Sequence, residues 1–439
     1  IALVYAILSG FWGVVVTDLV QFVIAMFGSI ALAIIALNYV GGMEVLLSKL
    51  NELLGTDVVT DNTLKFIPPI PDTGVATQTF WESPFSKFLI FISVMWWSHH
   101  GTDGGGYIIQ RMSSAKNERH ALLATLWFNI AHYALRVWPW IIVAVVSIVM
   151  FPIIPSEYSE LGVKAGYPLV MNTLLGPGLK GILIVSFLAA FMSTIDTHLN
   201  WGVSYLINDI YKRFFKPNET ERHYVLVGKI MTVILMILAA FTALKMQSIS
   251  KAWEFIFAMG AGIGLVLILR WFWWRVNAWS EITALATSIV ITISFEIIAY
   301  FQTINNNLEY SLFGSAPSIF GMSLQVHHKL MIIVPIAIIA WITVTFFTEP
   351  EPMTKLETFY KRVQPGGWWA PVTSSFDHTL QPVTKGIFIL WLAGVMMIYG
   401  FTFGIGNLIF QNYSSSVILF GFAGIGSYLI WNRNISKLT

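Results

Sequence analysis

Four oxygen-bearing side chains, Ser193, Thr194, Asp196 and Thr197, fall within about a turn and a half of an apolar, helix-length stretch at 188–211. Hydroxyls and carboxylates are costly at membrane depth unless they have something to hold. At helical spacing Ser193 shares a face with Asp196 and Thr197, and Thr194 lies beside the carbonyl of Ala190. Hydroxyl, carboxylate and carbonyl oxygens are what a hard cation takes in exchange for its water. The stretch therefore reads as half of a cation site. A plainer reading competes with it, because membrane hydroxyls commonly donate back to the carbonyl one turn earlier.

Asp18 is the only charge in the apolar run 11–39, within Thr17-Asp18-Leu-Val-Gln21. It is either a cap beside Thr17 at the start of its helix or a functional group, the default for a carboxylate inside a membrane. Residues 87–114 are hydrophobic at both ends and interrupted by His99-His100-Gly101-Thr102-Asp103-Gly104-Gly105-Gly106. Three consecutive glycines disfavour a continuous helix. Irregular backbone at that depth survives only against protein or a water-filled cavity, and broken helices of this kind mark solute sites in transporters. His99, His100, Thr102, Asp103 and Tyr107 are the pocket candidates, with Trp96 and Trp97 flanking the break. Arg136 lies mid-span and needs a partner. It is read as a structural ion pair with Asp196 or Asp103, or as an anchor whose planar fork suits a carboxylate. His99, His100, Asp103 and His132 also admit a metal site. Adjacent histidines point apart, however, and no tight motif such as His-Glu-x-x-His is present.

The elements that carry these residues are membrane spans. The 439-residue chain is 56% hydrophobic and 11% charged, with a mean hydropathy of +0.71, whereas soluble domains are nearer a quarter charged. It reads as an all-α polytopic membrane protein. Without cysteine it has neither disulfides nor thiolate metal sites. Residues 1–8 read as the tail of a span, Ser9-Gly10 as a short turn and 11–39 as a full crossing. Met43, Leu46, Leu47, Leu50, Leu53 and Leu54 form the stripe of a helix lying on the membrane surface. Further spans are expected to end near 151, 211, 244, 274, 301, 347, 410 and 431, and 349–385 is a polar linker. Gly260-Ala-Gly262-Ile-Gly264 reads as small-residue packing within one continuous span, and Trp271, Trp273, Trp274 and Arg275 as an interfacial belt. Loops holding Arg111, Lys116, Arg119, Lys212, Arg213, Lys216, Arg270, Arg275 and Lys361 outweigh the alternate set, so those loops and the C-terminus are expected in the cytoplasm.

Three motifs carry a family resemblance. Ala189-Ala-Phe-Met-Ser193-Thr194 followed by Asn208-Asp209-Ile-Tyr211-Lys-Arg213 resembles the sodium:solute symporter family, which includes sodium/glucose and sodium/proline cotransporters. Thr17-Asp18-Leu-Val-Gln21 resembles a second motif of that family, and Tyr107-Ile-Ile-Gln110-Arg111 with Ala115-Lys116 a third. The resemblance covers residues 1 to about 275. It implies a LeuT-like fold of two inverted repeats, with 1–275 as the transporter core and 276–439 as additional C-terminal helices around the 349–385 linker. The chain would then start near the end of the fourth core helix and lack most of the first four. The resemblance further implies sodium binding at the Ala190 carbonyl and the Ser193 and Thr194 hydroxyls. A second cation site would be formed by Asp18, Ser193, Asp196 and Thr197. Asp196 departs from the hydroxyl of some members. Two carboxylates at one site repel unless a cation lies between them or one is protonated. His99-His100 and the glycine run replace the larger residues that line sugar pockets, so the solute class stays open.

The expected function is sodium-coupled import of a small polar solute, a sugar, polyol or carboxylate, by alternating access across the plasma (inner) membrane. No covalent chemistry and no cofactor beyond the coupling ion are expected; the partners are sodium, solute and lipid. The alternatives are a proton-coupled or uncoupled carrier of the same fold, an intramembrane metal enzyme, and a transporter-like sensor.

Overall fold

The computed structural model describes residues 2–55, 67–71, 77–159, 161–246, 249–306, 316–319, 321–374 and 384–432. They form helices almost throughout. In chain order the principal ones are α1 (Ala2–Val40), α2 (Met43–Leu54), α3 (Pro84–Ile90), α4 (Gly105–Ser113), α5 (Glu118–Asn129), α6 (Val137–Met150), α7 (Gly166–Leu174) and α8 (Pro177–Tyr205). They continue as α9 (Glu221–Lys245), α10 (Ile249–Met259), α11 (Gly264–Phe272), α12 (Ala278–Asn305), α13 (Val326–Phe347), α14 (Met353–Val363), α15 (Thr384–Ile409) and α16 (Tyr413–Ile430). The only strands among the described residues are a two-residue antiparallel pair, Ser318–Ile319 with Met322–Ser323. Nine helical segments among the described residues are long and apolar enough to cross a membrane. They coincide with the crossings expected from the sequence, and the chain is an all-α multi-pass membrane protein.

Short π-helical turns interrupt several crossings. One, Phe91–Met95, follows α3; another, Ile130–Leu135, joins α5 to α6; a third, Leu206–Phe215, extends α8. The second has a local cause. Pro139 has no N–H to offer the Leu135 carbonyl, and just upstream the Arg136 N–H bonds to Ala131 O at 3.0 Å, five residues back. Arg136 thus sits at the seam between π and α geometry, where functional groups often cluster.

The chain divides into two compact units, Ile1–Phe66 with Met112–Phe241 and Leu392–Thr439, and Ile67–Arg111 with Thr242–Trp391. In the first, α1 runs along α6 and α8. Its core holds Leu32, Ala36, Val143, Val146, Val170 and Leu183. Gly28 admits Leu183: a Cβ there would lie 2.9 Å from the leucine Cδ1. The expected turn at Ser9-Gly10 is absent. α1 passes through both residues, because in lipid an unbroken helix satisfies its own backbone while one glycine costs only about 1 kcal/mol. α2 forms as expected, yet Leu46, Leu47 and Leu50 are buried in the protein core and not spread on lipid. Only Leu53 and Leu54 of that stripe remain exposed.

In the second unit the expected break is present between Ser98 and Gly105. A break the sequence reading missed lies opposite it. α10 ends at Met259 and α11 starts at Gly264, so the 260–263 segment is a turn and not continuous helix. Its glycines do serve close packing. Methyl groups at Gly260, Gly262 and Gly264 would overlap His100, Ser288 with Ala337, and the Trp97 carbonyl respectively. The Trp271–Arg275 segment is also more than a belt. Trp273 packs with tilted rings against Trp341 and Phe346, and the Arg275 guanidinium donates to the Phe346 and Thr348 carbonyls at the end of α13. Gly264→Val is therefore expected to lower the melting temperature in detergent by the equivalent of about 1–3 kcal/mol. Gly421→Ala, where nothing beyond the local helix backbone lies within 4 Å of the new methyl, should leave it unchanged or raise it slightly.

Candidate cation and solute sites

The first cluster joins α1 and α8. Ser193 does not bond back to its own helix; its hydroxyl donates across to Asp18 Oδ1. Asp196, on the same face one turn later, is fully buried. Its Oδ1 accepts from the Asn200 side-chain amide at 3.1 Å. Thr197 beside it is also buried. The arrangement brings Asp18 and Ser193 together across two helices and sets Asp196 and Thr197 on the buried side of α8. Each carboxylate accepts a hydrogen bond from a neutral donor, Asp18 from the Ser193 hydroxyl and Asp196 from the Asn200 amide. Carboxylate and hydroxyl oxygens converging from two packed helices form a donor set of the kind a hard monovalent cation takes.

Thr194 takes the plainer course. Its Oγ1 donates to Ala190 O at 2.9 Å, on an exposed face of α8. A hydroxyl that donates keeps both lone pairs, so that bond leaves Thr194 Oγ1 able to face a cation. Ala190 O, within continuous helix, takes both the helical N–H one turn on and the Thr194 hydroxyl, so a cation there would compete with the hydroxyl for it.

The helical break is fixed by its own side chains. His99 Nδ1 accepts from the Gly101 N–H at 2.9 Å, Thr102 Oγ1 donates to Trp96 O at 2.6 Å, and Asp103 Oδ1 accepts from the Gly105 N–H at 2.9 Å. These bonds replace helical ones that the glycines cannot sustain. Gly104 and Gly105 have φ of 93° and 62°, a left-handed conformation that a side chain would oppose. His100 lies against Gly260, and the His99 ring meets Phe257 edge to face at 6.2 Å. The side chain of Tyr107 lies outside the described residues. Asp103 takes Arg270 as its ion partner at 2.9 Å, not Arg136. The Arg136 guanidinium instead sits over the Trp140 ring, 5.2 Å from its centroid, a cation–π contact strengthened by low dielectric.

His132 stacks on Phe128 and meets Tyr133 edge to face. Among the described residues no three His, Asp or Glu side chains form a group able to hold a metal ion.

Two participants escaped the sequence reading. Asn200 sits four residues after Asp196, and that spacing alone was a usable signal. Arg270 lies 167 residues from Asp103, and nothing local in the sequence joins them.

Comparison with known proteins accords with this architecture. The model of the sodium:solute symporter family matches residues 1–290. The chain belongs to that family. It is 25% identical to the sodium/mannose cotransporter SLC5A10 of Bos taurus over 63% of this chain and 49% of the relative. It is 25% identical to the sodium/glucose cotransporter 1 of Oryctolagus cuniculus over 79% and 55%. It is also 23% identical to the osmoregulated proline transporter OpuE of Bacillus subtilis over 67% and 56%. These relatives are transporters, not enzymes. The chain spans about half the length of the relatives it matches.

Removing the donor to a buried carboxylate costs its desolvation. Asn200→Leu is expected to destabilise the protein by about 1–3 kcal/mol, measured by thermal unfolding in detergent without sodium. Asn200→Gln, which keeps the amide, should recover part of the loss.

Proposed function

We propose that this chain belongs to a sodium-coupled symporter that imports a small polar organic solute by alternating access. The observation that supports the reading is the hydrogen bond from Ser193 to Asp18, which joins two packed membrane helices through a hydroxyl and a carboxylate, oxygens of the kind a hard cation takes. The main sodium position is assigned to Ala190 O, Ser193 Oγ and Thr194 Oγ1, and a second cation position to Asp18, Ser193, Asp196 and Thr197. In this reading the fold is LeuT-like, with 1–275 as core and 276–439 as additional helices. The protein resides in the plasma (inner) membrane with its C-terminus in the cytoplasm, as the loop charges support. Solute binds beside the break, at His99, His100, Thr102, Asp103 and Tyr107. Relatives named for sugars and for proline support sugars, polyols or small carboxylates, with Arg136 available to a carboxylate as it is to a structural role.

Sodium binding would favour one of two arrangements of the bundle and solute would follow it. A membrane potential supplies about 2.3 kcal/mol per charge per 100 mV to the inward step. Two carboxylates at one site repel unless a cation lies between them or one is protonated, so the alternative is a proton-coupled or uncoupled carrier of the same fold.

Sodium stabilisation tests the assignment. A ligand at ten times its dissociation constant stabilises by about 1.4 kcal/mol. Sodium, but not potassium, should raise the melting temperature of the full-length protein, and Ser193→Ala should abolish the difference. Equal effects of the two ions would overturn sodium coupling. Asp18→Asn should reduce sodium-dependent uptake several-fold, and wild-type rate and stoichiometry in that variant would remove Asp18 from the site.

A further inference from the structure

Asp103 does two jobs with its two oxygens. Oδ1 accepts from the Gly105 N–H and starts α4; Oδ2 accepts from Arg270 Nη2 at 2.9 Å. Arg270 Nη1 simultaneously donates to Glu281 Oε1 at 3.0 Å. One guanidinium therefore joins the start of α4, the last turn of α11 and the first turn of α12. Its two carboxylate partners are not equivalent. Asp103 sits on a left-handed glycine turn whose φ values are 93° and 62° at Gly104 and Gly105. Glu281 sits in a regular helix whose N-terminus is closed by a capping box, the Asn277 side chain accepting from Ser280 N–H and Ser280 Oγ from Asn277 N–H. The acidic side chain there is also favoured by the helix dipole. Glycines let the chain rotate at little steric cost, so α4 is the movable partner and α12 the fixed one. The side chains of Arg270 and Glu281 are each 34% exposed and that of Asp103 is 12% exposed. Water can thus reach the ion pairs and take over from a partner that leaves, which a fully buried pair would resist.

We infer that Asp103, Arg270 and Glu281 form a latch on the glycine hinge of the broken helix. With Arg270 bonded to both carboxylates, α4 is held in the arrangement seen. When the latch opens, Arg270 lets go of Asp103, keeps Glu281, and α4 swings about Gly104–Gly106. The two states differ by one charge-assisted hydrogen bond, which makes the element bistable rather than continuously deformable. Asp103→Asn isolates the latch from the fold, because its amide oxygen still accepts from Gly105 N–H while the charge is gone. The inference rests on the alternating-access reading but not on the cation assignment, and its test uses neither sodium nor solute.

The 439 residues contain no cysteine, so one placed at half-buried Ile108 on α4 is unique within them, and any cysteine elsewhere in the protein is first replaced by serine. Its rate of reaction with a water-soluble maleimide reports how often α4 leaves its neighbours. Asp103→Asn and Arg270→Gln should each raise that rate by roughly fivefold or more, a typical coupling between two states. Glu281→Gln should lower it, because Arg270 is then left to Asp103 alone. Opposite signs for the two carboxylates are the signature; a role in folding alone would move both the same way. An unchanged or raised rate in Glu281→Gln, or an unchanged rate in Arg270→Gln or Asp103→Asn, would overturn the latch. Ser193→Ala should leave the contrast intact, so failure of the cation site and failure of the latch are told apart.

Discussion

No water is available in a bilayer core, so every backbone N–H and C=O at that depth needs a partner within the protein. Most of the chain meets this requirement with unbroken helices, and α1 carries it past Ser9 and Gly10, where soluble rules would allow a turn. Where the helix does stop, side chains stand in. At the 99–104 break a histidine nitrogen, a threonine hydroxyl and an aspartate oxygen each take up a backbone group within six residues of their own position. The polar residues there are first of all structural substitutes, and any solute that binds must share them.

The same requirement shapes the polar groups of α1 and α8. Thr194 satisfies itself within its own turn. Ser193 reaches another helix, and Asp196 draws on an amide one turn along. A hydroxyl that leaves its helix to meet a carboxylate marks a place where two spans are organised around an oxygen cluster, and here that place coincides with the family motif.

Much of this was legible in the residues. Apolar length set the crossings, and the glycine run with its flanking histidines set the first break. Apolar composition could not show that Leu46, Leu47 and Leu50 turn to protein instead of lipid, because both environments accept leucine equally. The second break hid for a related reason. Gly260, Gly262 and Gly264 read as close packing and do pack closely, but the requirement that α10 stop against His100 is a property of the neighbouring segment. Asn200 was within reach at helical spacing from Asp196. The Asp103–Arg270 bond was not, since each residue alone looks like an ordinary loop charge and only the tertiary fold brings them together.

The segment after α13 has a footing that its composition conceals. The Trp368 N–H donates to Phe272 O at 2.6 Å, made possible by Gly367 at φ 96°. The Trp369 indole donates to Trp271 O at 3.0 Å, and its ring is seated against Phe359 and Tyr360 of α14. The connector is therefore clamped to the end of α11 at two successive residues and is not a slack tether. Anything spliced between α14 and this clamp, such as a fluorescent reporter or an affinity tag, would tug directly on the half-helix that carries Arg270.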